Sequence, residues 1–137
     1  MVFIDTSIFI YAQDETNPTK TKMARELLVS LVGSKTGRIS TQVIQEFCNV
    51  MVKKSAAPLK TADARRVVRE LLEPILGHQP DAQFYLRALD LFERYSLNFY
   101  DALIIQAALD LKCETLYSED LQHKQKFGRL TVINPFI

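Results

Sequence analysis

Glycine is scarce in this sequence, and histidine and cysteine are scarcer still: four, two and two in 137 residues. So few glycines, none in a run, exclude the glycine-rich loop that cradles phosphate in nucleotide-binding domains. Cys48 and Cys113 stand 65 residues apart and form no CxxC pair. With only two histidines to help, they cannot make a structural zinc site, and they read as reduced core residues of a cytosolic protein. No long hydrophobic run occurs either. The most apolar stretch after the N-terminus, 102–111, carries Gln106 and Asp110 and is too short to span a bilayer. The N-terminal MVFIDTSIFIY places Asp5 inside its apolar stretch and has no basic segment ahead of it, so it is not a secretory signal. These absences describe a soluble, cytoplasmic protein with no membrane partner. Neither sign of charge is in excess, the net being +1, so any affinity for nucleic acid must come from the distribution of charge.

What remains is an ordinary globular composition, 47% hydrophobic and 24% charged. Its length suits one domain, residues 1–137, able to bury roughly two-thirds of its unfolded surface without disulfides. Val2-Phe3-Ile4 reads as a buried strand ending at Asp5. Asn17-Pro18-Thr19 looks like a helix start, followed by a periodic stretch over 20–32 that ends near Gly33. Arg38-Ile39-Ser40 is a minimal second strand, and Thr41 is placed to cap a helix running to about Lys53. A turn at Ala57-Pro58 precedes a helix opened by Thr61, closed by Pro74 and Gly77. Residues 81–95 are helical by period, and 100–111 are apolar nearly all round, as in a buried helix. Thr115-Leu116-Tyr117 and Leu130-Thr131-Val132-Ile133 complete the chain as strands. Short strands alternating with long helices imply a parallel, helix-covered sheet, and in such sheets sites gather at the carboxyl ends of the strands.

Four acids occupy such places. Asp5 follows the first strand, although with Thr6 and Ser7 it suits a helix cap or a turn equally well. Around its helix, Val43, Ile44, Phe47, Val50 and Met51 form one apolar arc. Glu46 falls about 40° beyond the edge of that arc, where a glutamate borders the core or snorkels from it. Asp101 lies three residues after Asn98, a spacing that also suits a cap and a favourable helix dipole. Asp120 follows the third strand, where it could start a helix at Leu121, and Glu119 beside it reads as a solvated charge.

Convergence of these acids at one end of the sheet has an electrostatic consequence. Two carboxylates about 5 Å apart repel by about 3 kcal/mol at an effective dielectric near 20. Several such pairs call for a bound cation or a captured proton. An all-oxygen donor set suits Mg²⁺ or Mn²⁺, ions that polarise phosphate and lower the pKa of a bound water. The chemistry so indicated is metal-assisted hydrolysis of a phosphodiester.

Four segments, Phe3-Ile4-Asp5-Thr6-Ser7, Gln45-Glu46-Phe47, Tyr100-Asp101-Ala102-Leu103-Ile104 and Leu116-Tyr117-Ser118-Glu119-Asp120-Leu121, then carry a resemblance. In order and spacing, with the ending Leu130-Thr131-Val132-Ile133-Asn134-Pro135-Phe136, they resemble the PIN-domain nucleases, and among them the VapC-like toxins of toxin–antitoxin pairs. The resemblance implies a three-layer α/β/α sandwich with a short, mainly parallel sheet. It also implies Mg²⁺- or Mn²⁺-dependent endoribonuclease activity, an RNA substrate, a homodimer and a cognate antitoxin. It makes Asp5, Glu46, Asp101 and Asp120 the metal-site acids, with Thr6, Ser7 and Ser118 orienting the metal, its water or the phosphate. An acid at Glu119 departs from the family pattern and leaves its part open.

Residues 53–69 hold six Lys and Arg against one Asp, a local charge of +5. Lys53, Lys54, Arg65, Arg66 and Arg69 are therefore candidates for RNA phosphates, and equally for a solvated helix face. Lys124, Lys126 and Arg129 are a second candidate group. Among rival classes, a haloacid-dehalogenase-like phosphatase would need a second aspartate soon after Asp5, where Thr6 and Ser7 stand. A nuclease outside the toxin group, or a nucleic-acid-binding module of weak activity, would share the fold.

Overall fold

The computed structural model describes residues 1–54 and 58–137, the side chain of Lys54 excepted. Ala57, half of the expected turn, lies outside the described residues. Val2–Ile4 forms β1, with Phe3 and Ile4 inaccessible to water. The chain turns at once into α1, Thr6–Gln13, a helix that no apolar period in the sequence marks. Its TSIFIYAQ sequence is rich in β-branched and aromatic residues that favour strands locally. Burial of Thr6, Ile8, Phe9 and Ala12 overrides that preference.

Helix α2, Pro18–Ser34, starts as its sequence announces, with Asn17 accepting a hydrogen bond from the Lys20 amide. It runs past Gly33 and stops where Lys35, not glycine, takes the left-handed conformation at φ 59°. Strand β2, Gly37–Ser40, leads into α3, Thr41–Asn49, which widens into a π turn over Val50–Lys54. Ser40 takes the cap position that Thr41 was expected to hold, and its side chain makes no capping bond. Thr41 instead donates its hydroxyl to the His78 carbonyl at 3.2 Å.

Helix α4, Thr61–Val67, continues through a π turn, Val68–Leu72, and a 3-10 turn, Glu73–Ile75. The segment that Pro74 and Gly77 were expected to close then becomes a strand, β3, Leu76–His78, paired in parallel with β2. Helices α5, Ala82–Tyr95, and α6, Phe99–Asp110, are capped by Asp81 and Asn98. Helix α6 is buried continuously from Ala102 to Ala108, as its all-round apolar sequence required. Strands β4, Thr115–Tyr117, and β6, Leu130–Ile133, were expected; β5, Lys126–Phe127, is a two-residue strand running antiparallel to β6. Gly128 makes that hairpin possible, turning the chain at φ +60°. No helix forms at Leu121.

The sheet order is β3-β2-β1-β4-β6-β5, parallel throughout except at β5. Helices flank it to give a three-layer α/β/α sandwich, α1 packing against α2 and α3, and α5 against α6. The core gathers around Phe3, Phe9, Phe47 and Phe127, all but inaccessible to solvent. Cys113 is buried in it and Cys48 half-buried, both free thiols. Among the described residues no helix is long and apolar enough to cross a membrane.

Candidate active site

Because β1 and β4 are parallel neighbours, Asp5 and the Ser118-Glu119-Asp120 group leave the sheet at the same edge. The Asp5 amide donates to the Tyr117 carbonyl at 3.0 Å, which ties the two strand ends together. Asp5 is the N-cap of α1: its Oδ1 accepts from the Thr6 amide at 2.7 Å. Its Oδ2 accepts from the Ser118 hydroxyl, also at 2.7 Å. Ser118 Oγ in turn accepts from the Asp120 amide at 3.2 Å. On the other side, the Thr6 hydroxyl donates to Glu46 Oε1 at 2.7 Å, across 40 residues of sequence. One continuous hydrogen-bonded chain thus joins Asp120, Ser118, Asp5, Thr6 and Glu46. The capping reading of Asp5 holds, and the same carboxylate is the middle of that hydrogen-bonded chain.

Asp5 is only 6% exposed. Burial pushes its carboxyl up to about 7; the hydrogen bonds from Ser118 and Thr6 pull it back in part, and repulsion from Asp120 and Glu46 adds to the rise. Asp101 enters in the first turn of α6. Asn98 caps that helix by accepting from the Tyr100 amide at 2.9 Å. Burial raises the Asp101 carboxyl, as do the charges of Asp120 and Glu46. Asp120 is raised by crowding of protein around it and then by Glu119, though water reaches its side chain and weakens the effect. Among the described residues none donates a hydrogen bond to the carboxylate of Asp101 or of Asp120. Asp5 and Asp101, from separate chain segments, thus each feel the charges of Asp120 and Glu46.

A cleft of about 340 Å³ opens over this arrangement, with Thr6, Ser7, Tyr11, Glu46, Glu119 and Asp120 in its wall. Asp5 and Asp101 are not in its wall. Ser7 Oγ is buried in that wall without a hydrogen-bond partner among the described residues. Such an orphan hydroxyl is costly unless a ligand completes it. Raised carboxyls, oxygen donors alone and an unsatisfied hydroxyl together fit a hard divalent cation. Among the described residues no three His, Cys, Asp or Glu side chains stand together where they could hold a metal ion.

Glu119 is engaged elsewhere. It pairs with Lys20, whose ammonium also donates to the Tyr11 hydroxyl at 3.3 Å and lies 4.8 Å and 5.5 Å from the ring centres of Tyr11 and Phe136. Burial opposes ionisation of Glu119, but the hydrogen bonds from Lys20 and Tyr11 outweigh it and hold the carboxyl below its usual value. Sequence reading missed Lys20 and Tyr11. Lys20 lies 99 residues from Glu119, and no local pattern marks it.

The basic candidates stay apart from the acids. Arg65 and Arg69 line a different cavity, of about 460 Å³, with Cys48, Val52 and Thr61. Arg66 pairs with Asp63 at 3.5 Å, and Lys53 is exposed in the turn after α3. The Lys54 side chain lies outside the described residues. Lys124, Lys126 and Arg129 are exposed near β5.

A parallel α/β sandwich with linked acids at the carboxyl edge of its sheet is the class this geometry defines. The PIN domain family model matches residues 2–127, and the chain belongs to that family. No curated protein sequence matches it. Among solved structures it is similar to a toxin–antitoxin complex from Klebsiella pneumoniae, at 19% identity over 98% of each chain with a TM-score of 0.69. It is also similar to VapC20 of Mycobacterium tuberculosis, described as a sarcin–ricin loop cleaving toxin, at 16% identity over 86% of this chain and 88% of that one, TM-score 0.64. A third is VapBC2 from Rickettsia felis bound to a DNA fragment from their promoter, at 18% identity over 96% and 97%, TM-score 0.62. At these identities the likeness is one of fold.

Proposed function

We propose that the chain, working as a single nuclease domain, is a divalent-metal-dependent endoribonuclease and the toxin of a toxin–antitoxin pair. The observation that carries this is the hydrogen-bonded chain from Asp120 to Glu46, centred on a buried Asp5 whose carboxyl is raised to about 7. Asp5, Glu46, Asp101 and Asp120 would hold Mg²⁺ or Mn²⁺. When bound, such an ion neutralises phosphate charge and acidifies a water.

The chain's own residues set the stage for that chemistry. Ser118 and the Thr6 amide fix both oxygens of Asp5 and so hold its carboxyl in one orientation at the end of β1. The Thr6 hydroxyl does the same for one oxygen of Glu46 and leaves the other free. Ser7 has a hydroxyl to spare for a phosphate oxygen or a water. Unpartnered Asp101 and Asp120 have lone pairs free for a cation or for water held on one. Similar folds in toxin–antitoxin structures support assigning RNA as substrate and an antitoxin as partner.

The test is single-turnover cleavage of total cellular RNA with Mn²⁺, alongside circular dichroism. Asp101→Asn should remove nearly all cleavage, a loss of about a hundredfold or more, with an unchanged spectrum. Wild-type cleavage by the folded variant would refute the assignment.

A further inference from the structure

A second cavity, of about 280 Å³, is enclosed by the end of β2, α3, α5 and the start of α6. It shares two helices with the acid site: Gln45 precedes Glu46 on α3, and Tyr100 precedes Asp101 on α6. Its wall is aromatic and amidic, with Gln42, Gln45, Phe84, Tyr85, Phe99 and Tyr100, and contains no Lys, Arg, Asp or Glu. The one ionisable imidazole there, His78, is already tied to Asp110 at 3.1 Å. Neither a phosphate nor a cation would find a charged partner in it.

What the wall does offer is faces and neutral hydrogen bonds. Tyr100 is 63% exposed and Tyr85 41%, large rings left open to water beside a cavity. Gln42 gives its amide N–H to the Tyr100 carbonyl at 3.2 Å, which leaves the amide oxygen as an acceptor. The Gln45 side chain has no hydrogen-bond partner among the described residues. Ser40 Oγ, in a residue only 4% exposed, is a buried hydroxyl without a partner among the described residues. An unsatisfied hydroxyl and free amides between aromatic rings are the means by which proteins hold an unstacked base. The volume lies near the low end of small-ligand sites, about 300 Å³, which admits one ring system.

We propose that this cavity is a nucleobase subsite, taking one unstacked base of a single-stranded RNA whose adjoining phosphodiester lies in the acid cleft. Tyr100 and Tyr85 supply stacking faces, and Ser40 and Gln45 read the edge of the base. The acid cleft takes the charged part of the strand and this cavity the uncharged part. The subsite rests on the ribonuclease reading above.

The test uses the full-length protein and short single-stranded RNAs of one sequence, each with one abasic position moved along the strand. Binding is followed by fluorescence anisotropy in Ca²⁺, and cutting is followed in parallel in Mn²⁺. In wild type, one abasic position next to the cut should weaken binding roughly fivefold to a hundredfold, the range of one base–aromatic stack. Tyr100→Ala should weaken binding of intact RNA by a similar factor and become indifferent to that same abasic position. Ser40→Ala, which removes a hydroxyl bonded to nothing in the free protein, should fold as well as wild type and weaken binding roughly threefold to tenfold. If the Tyr100→Ala and abasic losses multiply independently, the base does not sit in this cavity and the proposal is overturned. A fall in molecular mass of Tyr100→Ala by light scattering would show that the rings are covered by a second copy of the chain, which also overturns it. RNA that is cut with no abasic position mattering overturns the subsite alone, whereas RNA neither bound nor cut overturns the ribonuclease reading as well.

Discussion

Replacing Asp5 by Asn removes a buried carboxyl that the fold keeps protonated to a higher pH than water would. Moving that carboxyl from its ordinary 3.8 to about 7, at about 1.4 kcal/mol per pH unit, makes its ionised form cost the fold about 4 kcal/mol. The sign follows from proton binding. Below about pH 4 the group is protonated in folded and unfolded chain alike, and it imposes no penalty. Between about pH 4 and 7 the unfolded chain has released the proton and the folded chain has kept it, so stability falls by about 1.4 kcal/mol per pH unit. Above about 7 both are ionised and the loss is complete. Asn keeps the acceptor for the Thr6 amide and replaces the oxygen that accepts from Ser118 by an amide NH2, a cost of about 1 kcal/mol that is small beside the change with pH. Asp101 and Asp120 titrate in both proteins, so the difference between them isolates Asp5. Thermal melts in EDTA from pH 4 to 8 should show wild type losing ground to Asp5→Asn by an amount on the order of 10–15 °C, nearly all of it before pH 7. Saturating Mg²⁺ should flatten the wild-type curve, because the cation then replaces the proton, and should leave the variant unchanged. Parallel curves in EDTA would refute the reasoning, since they would mean that the buried carboxyl titrates as it does in the unfolded chain.

Two further outcomes follow from other parts of the structure. Glu119→Gln should leave RNA cleavage within roughly fivefold of wild type, the scale of a part-exposed ion pair, because Lys20 and Tyr11 already occupy that carboxylate. A loss in the same assay as large as that of Asp101→Asn would place Glu119 among the acting acids. Helix α5 exposes Leu86, Leu89 and Phe92, each more than 40% accessible, a patch of the kind that marks association. Light scattering should give about twice the 15.7 kDa of the chain, and Leu89→Glu should return it to the single mass with an unchanged circular dichroism spectrum; a wild type of single mass at tens of micromolar would count against the dimer.

The sequence announced those parts of the fold in which local chemistry and tertiary need agree. Asn17, Asp81 and Asn98 cap the helices they precede, and β1, β4 and β6 are apolar runs of the expected place and length. It hid the parts in which they conflict. The residues of α1 carry strand-like side chains and become helical because that face is buried against α2 and α3. Strand β3 has three residues, one of them Gly77, and is defined by pairing with β2 and not by its own composition. A Cβ at Gly77 would meet the Arg38 side chain at 3.1 Å and Leu111 at 3.3 Å, a close approach invisible until the strands are side by side. At the candidate site, Asp5 and Asp120 stood out because each follows a strand, Asp101 because it opens a helix, and Glu46 because it borders the apolar arc of α3. Lys20 and Tyr11 were not, because what brings them to Glu119 is the packing of α1 against α2 and no motif of either.

The two outer strands of the sheet, β3 and β5, have three and two residues. An edge that short offers an incoming strand too few amide and carbonyl groups to continue the sheet, which protects against edge-to-edge aggregation. It also narrows the ways in which another polypeptide can hold this protein. Strand addition would gain little here, so a binder has to take its grip on side chains of the helices, where affinity is set residue by residue. A protein recognised in that manner can change partners through a few surface substitutions while its sheet, and the acids at the end of it, stay as they are.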